Sequence, residues 1–249
     1  MDGNRSRRQG LLLLLIVGIT DARMRSAVRI AIDGPAGAGK STVARKVAQR
    51  LGYRYVDTGA MYRVVTWAMQ REGISAHEID KLAKWLADAT IEIQPGTEGQ
   101  RIWWNGEEAT PFIRLPEVNR EVSEVAKIPL VREKLWQVQQ RLAQEDDVIM
   151  DGRDIGTRVM PDADLKIFLT ASIEERAKRR LAEEARMGKS PSLEEVKSIL
   201  AMRDQEDSGR SLAPLTKAAD AIELDTSQLS LQEVIDQILF LAKKAGERC

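Results

Sequence analysis

The chain has no internal cysteine, one histidine and no surplus of charge. Its single cysteine, Cys249, is the last residue, so no disulfide can close within the chain, which suits a reducing cytosol. The lone histidine, His77, lies in a polar connector and reads as a solvated side chain. With no cluster of cysteine and histidine there is no structural zinc site to expect. Lysine plus arginine number 38, as do aspartate plus glutamate, so no global positive field draws the chain onto nucleic acid or an anionic membrane. Small anionic ligands must be held by local clusters. No hydrophobic run is long enough to span a bilayer, because the longest, Leu11 to Ile19, is too short. Aromatic residues make up only 4% of the chain, and the adjacent pair Trp103 and Trp104 would point to opposite faces of a strand. That excludes a stacking platform for single-stranded nucleic acid and favours core packing.

What is present is concentrated in a few stretches. An alternating apolar run, Val28, Ile30 and Ile32, leads through Asp33 into G-x-x-x-x-G-K-S, with Gly34, Gly39, Lys40 and Ser41 at the fixed positions. This is a strand, a phosphate loop and a helix start. Glycine lets the backbone close around a phosphate and turn several N–H groups inward, and the helix adds its partial positive end. Residues Gly34, Pro35, Ala36, Gly37, Ala38, Gly39, Lys40, Ser41 and Thr42 would form that cradle. Lys40 supplies a point charge to the outer phosphates. Ser41 offers a hydroxyl to magnesium, largely through water and phosphates.

The 249 residues allow one large α/β domain with a small insert. Residues 1–23 read differently from the rest. Arg5, Arg7 and Arg8 precede the apolar run like the start of a secretory signal, but no small-x-small cleavage site follows, and Met24 lies four residues before the first strand. Residues 1–23 are therefore read as an extension foreign to the native protein, and 24–249 as a single domain. No internal repeat or low-complexity tract follows. A second strand over 53–56 ends in Asp57, Thr58 and Gly59, a sharp turn into a helix carrying Tyr62 and Arg63. Residues 90–113 break the α/β rhythm: IEIQ, then RIWWN, then an Asn105-Gly106 turn into EEAT predict a small antiparallel sheet. Beyond Pro129, the stripe Val131, Leu135, Val138 and Leu142 leaves Arg132 off its centre. A third strand, 148–150, runs into Asp151, Gly152, Arg153 and Asp154. A fourth, 165–169, and a last one, 221–224, are followed by helices. Ser172 with Glu175, Ser192 with Glu195 and Ser230 with Glu233 predict three capping boxes.

Arg176, Arg179, Arg180, Arg186, Arg203 and Arg210 crowd the stretch from 176 to 210, with Asp207 between the last two. Beside Glu174, Glu175, Glu183 and Glu184, a surface salt-bridge ladder would explain most of them. A phosphate loop upstream changes that weighing. Phosphoryl transfer needs charge compensation more than covalent help, and arginine grips phosphate in a forked geometry that lysine cannot copy.

Together the motifs resemble bacterial cytidylate kinases, a family of P-loop nucleoside monophosphate kinases. The matching pieces are IDGPAGAGKST, DTGAMYR, VSEVAKIPLVR, DGRDIGTRVMPDADLKIFLTAS and RDQEDSGRSLAPL, in family order from Val28 onward. Ala36 stands where many members have serine, and every required glycine is in place. The resemblance implies an α/β fold of the P-loop NTPase type, its parallel sheet flanked by helices. It also implies a small antiparallel β insert in the monophosphate-binding region and a short helical lid over about 172–212. It implies transfer of the ATP γ-phosphoryl to CMP or dCMP with Mg2+, in the cytoplasm, by a monomer. Carried over by position, Thr58, Ser123, Arg132 and Asp154 read the cytosine ring. Arg63, Arg153 and Arg210 surround the acceptor phosphate, Tyr62 lines that site, and Arg203 with Asp207 contacts the pentose. Arg180, and more weakly Arg176 and Arg179, would be lid arginines closing on the transferring phosphate. Lys40, Arg153, Arg180 and Asp151 form the expected catalytic set, with Asp151 organising magnesium or the acceptor arginines rather than serving as a base. Two other readings stay open at this stage. One is a kinase for another monophosphate such as UMP; the other is a nucleotide-dependent switch without an acceptor.

Overall fold

The computed structural model of the chain describes residues 27–96, 99–186, 188 and 190–246, so the expected 1–23 extension lies outside the described residues. Five strands form one parallel sheet: β1 (Arg29–Asp33), β2 (Arg54–Asp57), β6 (Val148–Gly152), β7 (Leu165–Thr170) and β8 (Ile222–Asp225), in the order β2-β6-β1-β7-β8. β1 is buried at four of its five residues, as a central strand covered on both faces must be. Its alternate side chains divide between two cores. Ile30 and Ile32 pack with Val43, Ala44 and Val47 of α1 (Lys40–Leu51) and with Val234, Ile235 and Ile238 of α8 (Leu231–Gly246). Ala31 faces the opposite core, built from α2 (Thr58–Glu72), α3 (Ile79–Asp88), α4 (Pro116–Val125) and α5 (Pro129–Leu142).

The strands end together. Parallel pairing sets Asp33 opposite Gly152 and Asp57 opposite Asp151, so three carboxylates meet at one rim of the sheet. That rim lies beyond the strand C-termini, where open parallel sheets take ligands. β6 continues into a π-helical turn over Ile155–Val159, an irregularity that is common at functional sites.

The expected insert is a three-stranded antiparallel sheet of β3 (Ile91–Gly96), β4 (Gly99–Trp104) and β5 (Glu107–Glu108). Asn105 (φ 49°) and Gly106 (φ 80°) both adopt the left-handed conformation a two-residue hairpin turn requires. Trp104 is buried and packs against Trp85 with the rings tilted by 33° at 4.7 Å, and both indoles donate to Glu72. Trp103 faces the other way, with Arg101 over its ring.

α6 (Ile173–Arg186) and α7 (Leu193–Ser208) form a helical hairpin whose inner residues Ala177, Val196 and Leu200 pack on Ala36 of the phosphate loop. Ser192 and Ser230 close full capping boxes with Glu195 and Glu233. The box expected at Ser172 forms only half. Its hydroxyl accepts from Glu175 N–H, but its own N–H donates to Ser227, and Lys178 takes the Glu175 carboxylate at 2.6 Å.

Candidate active site

The phosphate loop runs from the end of β1 to the start of α1. Gly34 (φ 148°) passes so close to β7 that a Cβ would lie 1.9 Å from the Leu169 carbonyl oxygen, and Gly39 (φ 91°) turns the chain into α1. No other residue type fits both positions. Lys40 is 6% exposed, and its ammonium donates to the Pro35 carbonyl at 2.8 Å. Burial, together with the neighbouring Arg153 charge, pulls that ammonium down to about 7. A phosphate group placed beside it supplies the negative charge that favours the protonated form.

One carboxylate joins the loop to the sheet rim. Ser41 Oγ donates to Asp151 Oδ2 at 2.8 Å, Tyr55 Oη donates to Oδ1 at 2.8 Å, and Thr58 Oγ1 donates to the Asp151 backbone carbonyl at 2.7 Å. Burial, reinforced by Asp57, pushes the Asp151 carboxyl up to about 6. Asp33, at the end of β1, accepts the N–H groups of Ile155 (2.9 Å) and Gly156 (2.7 Å) and so ties the phosphate loop to the π turn.

Burial outweighs those two bonds and raises the Asp33 carboxyl from 3.8 to about 6. A carboxyl raised by folding favours its protonated form. Its contribution to stability is therefore full below the unfolded value and is lost as pH rises through about 6. Relative to Asp33→Asn, the unsubstituted chain is expected to gain about 2 kcal/mol of stability from about pH 7 down to about pH 4. Urea midpoints across that range measure it. A constant difference between the two proteins would return Asp33 to the ordinary carboxylate range.

The other half of the rim is cationic. Arg153 Nε donates to Asp207 Oδ2 at 2.7 Å, and Arg210 Nη2 donates to Oδ1 of the same buried carboxylate. Arg203 is pulled down to about 10, by burial first and then by Arg153 and Arg63. Arg63 is likewise lowered by burial, with Arg114, Arg153 and Arg180 opposing its charge and Asp57 favouring it. Three guanidinium groups, Arg153, Arg203 and Arg210, thus crowd around Asp207 with Arg63 beside them, and Arg153 lies within electrostatic reach of Lys40. Such a cluster is short of negative charge, and a phosphate group is a natural complement to it.

Beside the cluster is a buried pair. Arg132 is 1% exposed; it donates to Asp154 Oδ2 at 2.8 Å and to the Ala126 carbonyl at 2.9 Å, and its guanidinium lies over the rings of Tyr62 and Trp136. Arg132, expected off the centre of the buried stripe, lies on its flank with Trp136 and Gln139, and its long stem carries the charge inward to a partner. Among the described residues, Tyr62 Oη, Arg132 Nε, Arg203 Nε and Arg210 Nε are buried without a hydrogen-bond partner. Orphaned groups of this kind are costly in a folded chain, and here they gather on one side of the sheet rim. Ser123 is half-buried on α4, across from α2 and its Tyr62 and Arg63.

The structure separates the three arginines expected in the lid. Arg176 is 7% exposed and bonds to the carbonyls of Ala36 (3.1 Å) and Ala171 (3.0 Å) and to Asp204 (2.5 Å). Arg179 bonds to the Ala38 carbonyl at 3.1 Å and to Thr226. Both brace the phosphate loop from behind. Only Arg180 has the freedom of a lid residue, held by Glu183 and Glu184 of its own helix with 42% of its side chain exposed. Arg210 lies past the end of α7 rather than on the helix face shared by Arg203 and Asp207.

Sequence reasoning passed over Asp33, Tyr55 and Trp136. Tyr55 sits two residues before Asp57 on β2, hence on the same strand face, and Trp136 sits one turn after Arg132. Those spacings were available as signals.

A family model described as cytidylate kinase matches residues 30–244. The chain belongs to the cytidylate kinase family. A cytidylate kinase of Anoxybacillus flavithermus is 49% identical over 224 residues, covering 90% of this chain and 100% of its own. One from Geobacillus sp. is 51% identical over 216 residues, covering 87% of this chain and 96% of its own. Among solved structures, a gluconokinase from Sinorhizobium meliloti 1021 aligns at a TM-score of 0.45 and 18% identity, covering 91% of this chain and 96% of the other, a likeness that carries no argument about function. Every motif of the cytidylate kinase resemblance falls inside the matched span.

Proposed function

We propose that this chain transfers the γ-phosphoryl group of ATP directly to the phosphate oxygen of CMP or dCMP, giving ADP and CDP or dCDP. The observation that carries this reading is the buried Arg132–Asp154 pair beside four guanidinium groups, one of which reaches electrostatically to Lys40. The loop from Gly34 to Thr42 holds the ATP phosphates, and Lys40 takes the outer ones. Arg63, Arg153 and Arg210 grip the acceptor phosphate. Arg203 and Asp207 contact the pentose, and Tyr62 lines the pocket.

Cytosine presents an exocyclic amine as donor and a ring nitrogen and carbonyl as acceptors. Asp154 accepts from the amine; Arg132 and Ser123 face the acceptors, and Thr58 joins them when its hydroxyl turns from the Asp151 carbonyl. Uracil lacks the amine and would set a carbonyl against a buried carboxylate, so it is rejected. Arg180 swings from its glutamates to the transferring phosphoryl group and offsets its charge. No covalent enzyme intermediate is needed.

Ser41 and Asp151, hard oxygen donors 2.8 Å apart beside the loop, suit Mg2+. Among the described residues no group of three or more His, Cys, Asp or Glu could hold a metal, so ATP oxygens and water would complete its shell. Bound there, Mg2+ neutralises phosphate charge. Asp151 orders this corner rather than taking a proton. Also among the described residues, no helix is long and apolar enough to cross a membrane. A cytoplasmic setting, with ATP at hand, follows from this reading.

A coupled ADP-release assay with CMP, dCMP, UMP, AMP and GMP is the test. CMP and dCMP are expected to be phosphorylated and the other three to be poor acceptors. Slow ATP hydrolysis indifferent to CMP would point instead to a switch, and preference for UMP to a different monophosphate kinase.

A further inference from the structure

Asp154 has a second partner that the proposed chemistry leaves unused. Trp136 is 4% exposed, and its indole Nε1–H donates to Asp154 Oδ2 at 2.9 Å, the same oxygen that Arg132 Nη2 reaches at 2.8 Å. The ring itself is clamped, with Arg158 at 4.5 Å from its centroid and Arg132 at 5.3 Å. Trp136 lies one helical turn from Arg132 on α5, so both donors approach the carboxylate from the same helix. A carboxylate on a single charged partner can rock about that bond. Two donors of different reach converging on one oxygen fix its plane and leave Oδ1 untouched by either. An indole N–H is a donor only, so it rewards an acceptor at that point and never competes with the base for Oδ1.

We infer that Trp136 is a positioning residue for base selection: it locks Asp154 in the orientation that tells cytosine from uracil. This rests on the reading of Asp154 as the group that meets the cytosine amine. An apolar residue at 136 would still fill the core; what the indole adds is the N–H. The role is therefore separable from packing.

Trp136→Phe retains an aromatic ring between the two arginines and deletes the donor. Hydrogen bonds to charged groups are worth enough that kcat/KM for CMP is expected to fall about tenfold, mainly through KM for CMP. UMP is expected to change little and KM for ATP not at all, so the CMP-to-UMP preference narrows. In D154A the preference collapses, and W136F added to D154A costs nothing more, because the indole acts only through that carboxylate. If D154A erodes the preference while W136F leaves it intact, the inference fails and the reading of Asp154 survives. If D154A itself keeps the preference, the reading of Asp154 fails and the inference falls with it. Should W136F not fold, 15N-indole spectra of the full unsubstituted chain and of D154N carry the test. One of the five tryptophan N–H resonances is expected to move upfield when the acceptor loses its charge. Five unmoved resonances would overturn the inference.

Discussion

Arg180→Ala is expected to phosphorylate CMP about three to five powers of ten more slowly than the unsubstituted chain. KM for CMP and for ATP should stay within a few fold. The asymmetry follows from where the side chain rests. Its guanidinium is held by Glu183 at 3.2 Å and Glu184 at 2.7 Å, i,i+3 and i,i+4 neighbours on α6, and 42% of the side chain is exposed. Pairs of this kind stabilise a helix by only a few tenths of a kcal/mol each, so releasing them costs little. Arg63 and Arg203 both lie within electrostatic reach of Arg180, which places it at the margin of the acceptor cluster, clear of its buried centre. A group so arranged contributes little to holding either nucleotide and much once charge spreads over the transferring phosphoryl oxygens. Arg180→Lys, which keeps the charge but loses the fork, is expected to recover only part of the loss. Steady-state kcat and both KM values decide the matter. An unchanged kcat in the alanine variant removes Arg180 from the catalytic set.

The same three arginines show where reading a sequence stops. Arg176, Arg179 and Arg180 share one helix, one charge and the same acidic neighbours, so nothing local distinguishes them. Their roles diverge because α6 lies against the phosphate loop, bringing the Ala36 and Ala38 carbonyls to Arg176 and Arg179 and leaving Arg180 outside. By contrast, the parallel sheet, the phosphate loop and the insert were legible because each is written in contiguous residues. The runs Ile30–Ile32 and 148–150 are apolar without break, as buried parallel strands are, and Asn105-Gly106 names its own turn. The full burial of the Arg132 side chain was not legible, for the reverse reason. Periodicity reports the direction of the Cα–Cβ bond, whereas a guanidinium is delivered by a long stem that can bend back into the core when a carboxylate from the turn after β6 awaits it. Ser172 failed because the cap was contested. Lys178 and Ser227 both compete for its groups, and only the fold brings Ser227 there. Asp33 and Tyr55 were missed because their partners are 122 and 96 residues away along the chain.

The second large effect concerns that buried pair. Arg132→Met keeps the stem and removes the guanidinium, leaving the carboxylate of Asp154 with the Trp136 N–H as its remaining side-chain donor. Breaking a buried ion pair from one side is expected to destabilise the chain by about 3–5 kcal/mol, because the surviving charge is left in a poorly solvating interior. For a chain of this size the melting temperature is expected to fall by about 6–20 °C. Removing the second charge as well, in R132M/D154L, is expected to restore much of that loss, since two apolar side chains need no partners. CMP preference is expected to vanish in both proteins, whatever their stability. On the proposed function, the pair serves recognition at the expense of a sturdier apolar core, and urea unfolding of the two variants checks the stability half of that expectation. A double variant no more stable than the single one would mean that packing around Arg132, through Tyr62 and Trp136, outweighs the charge it carries.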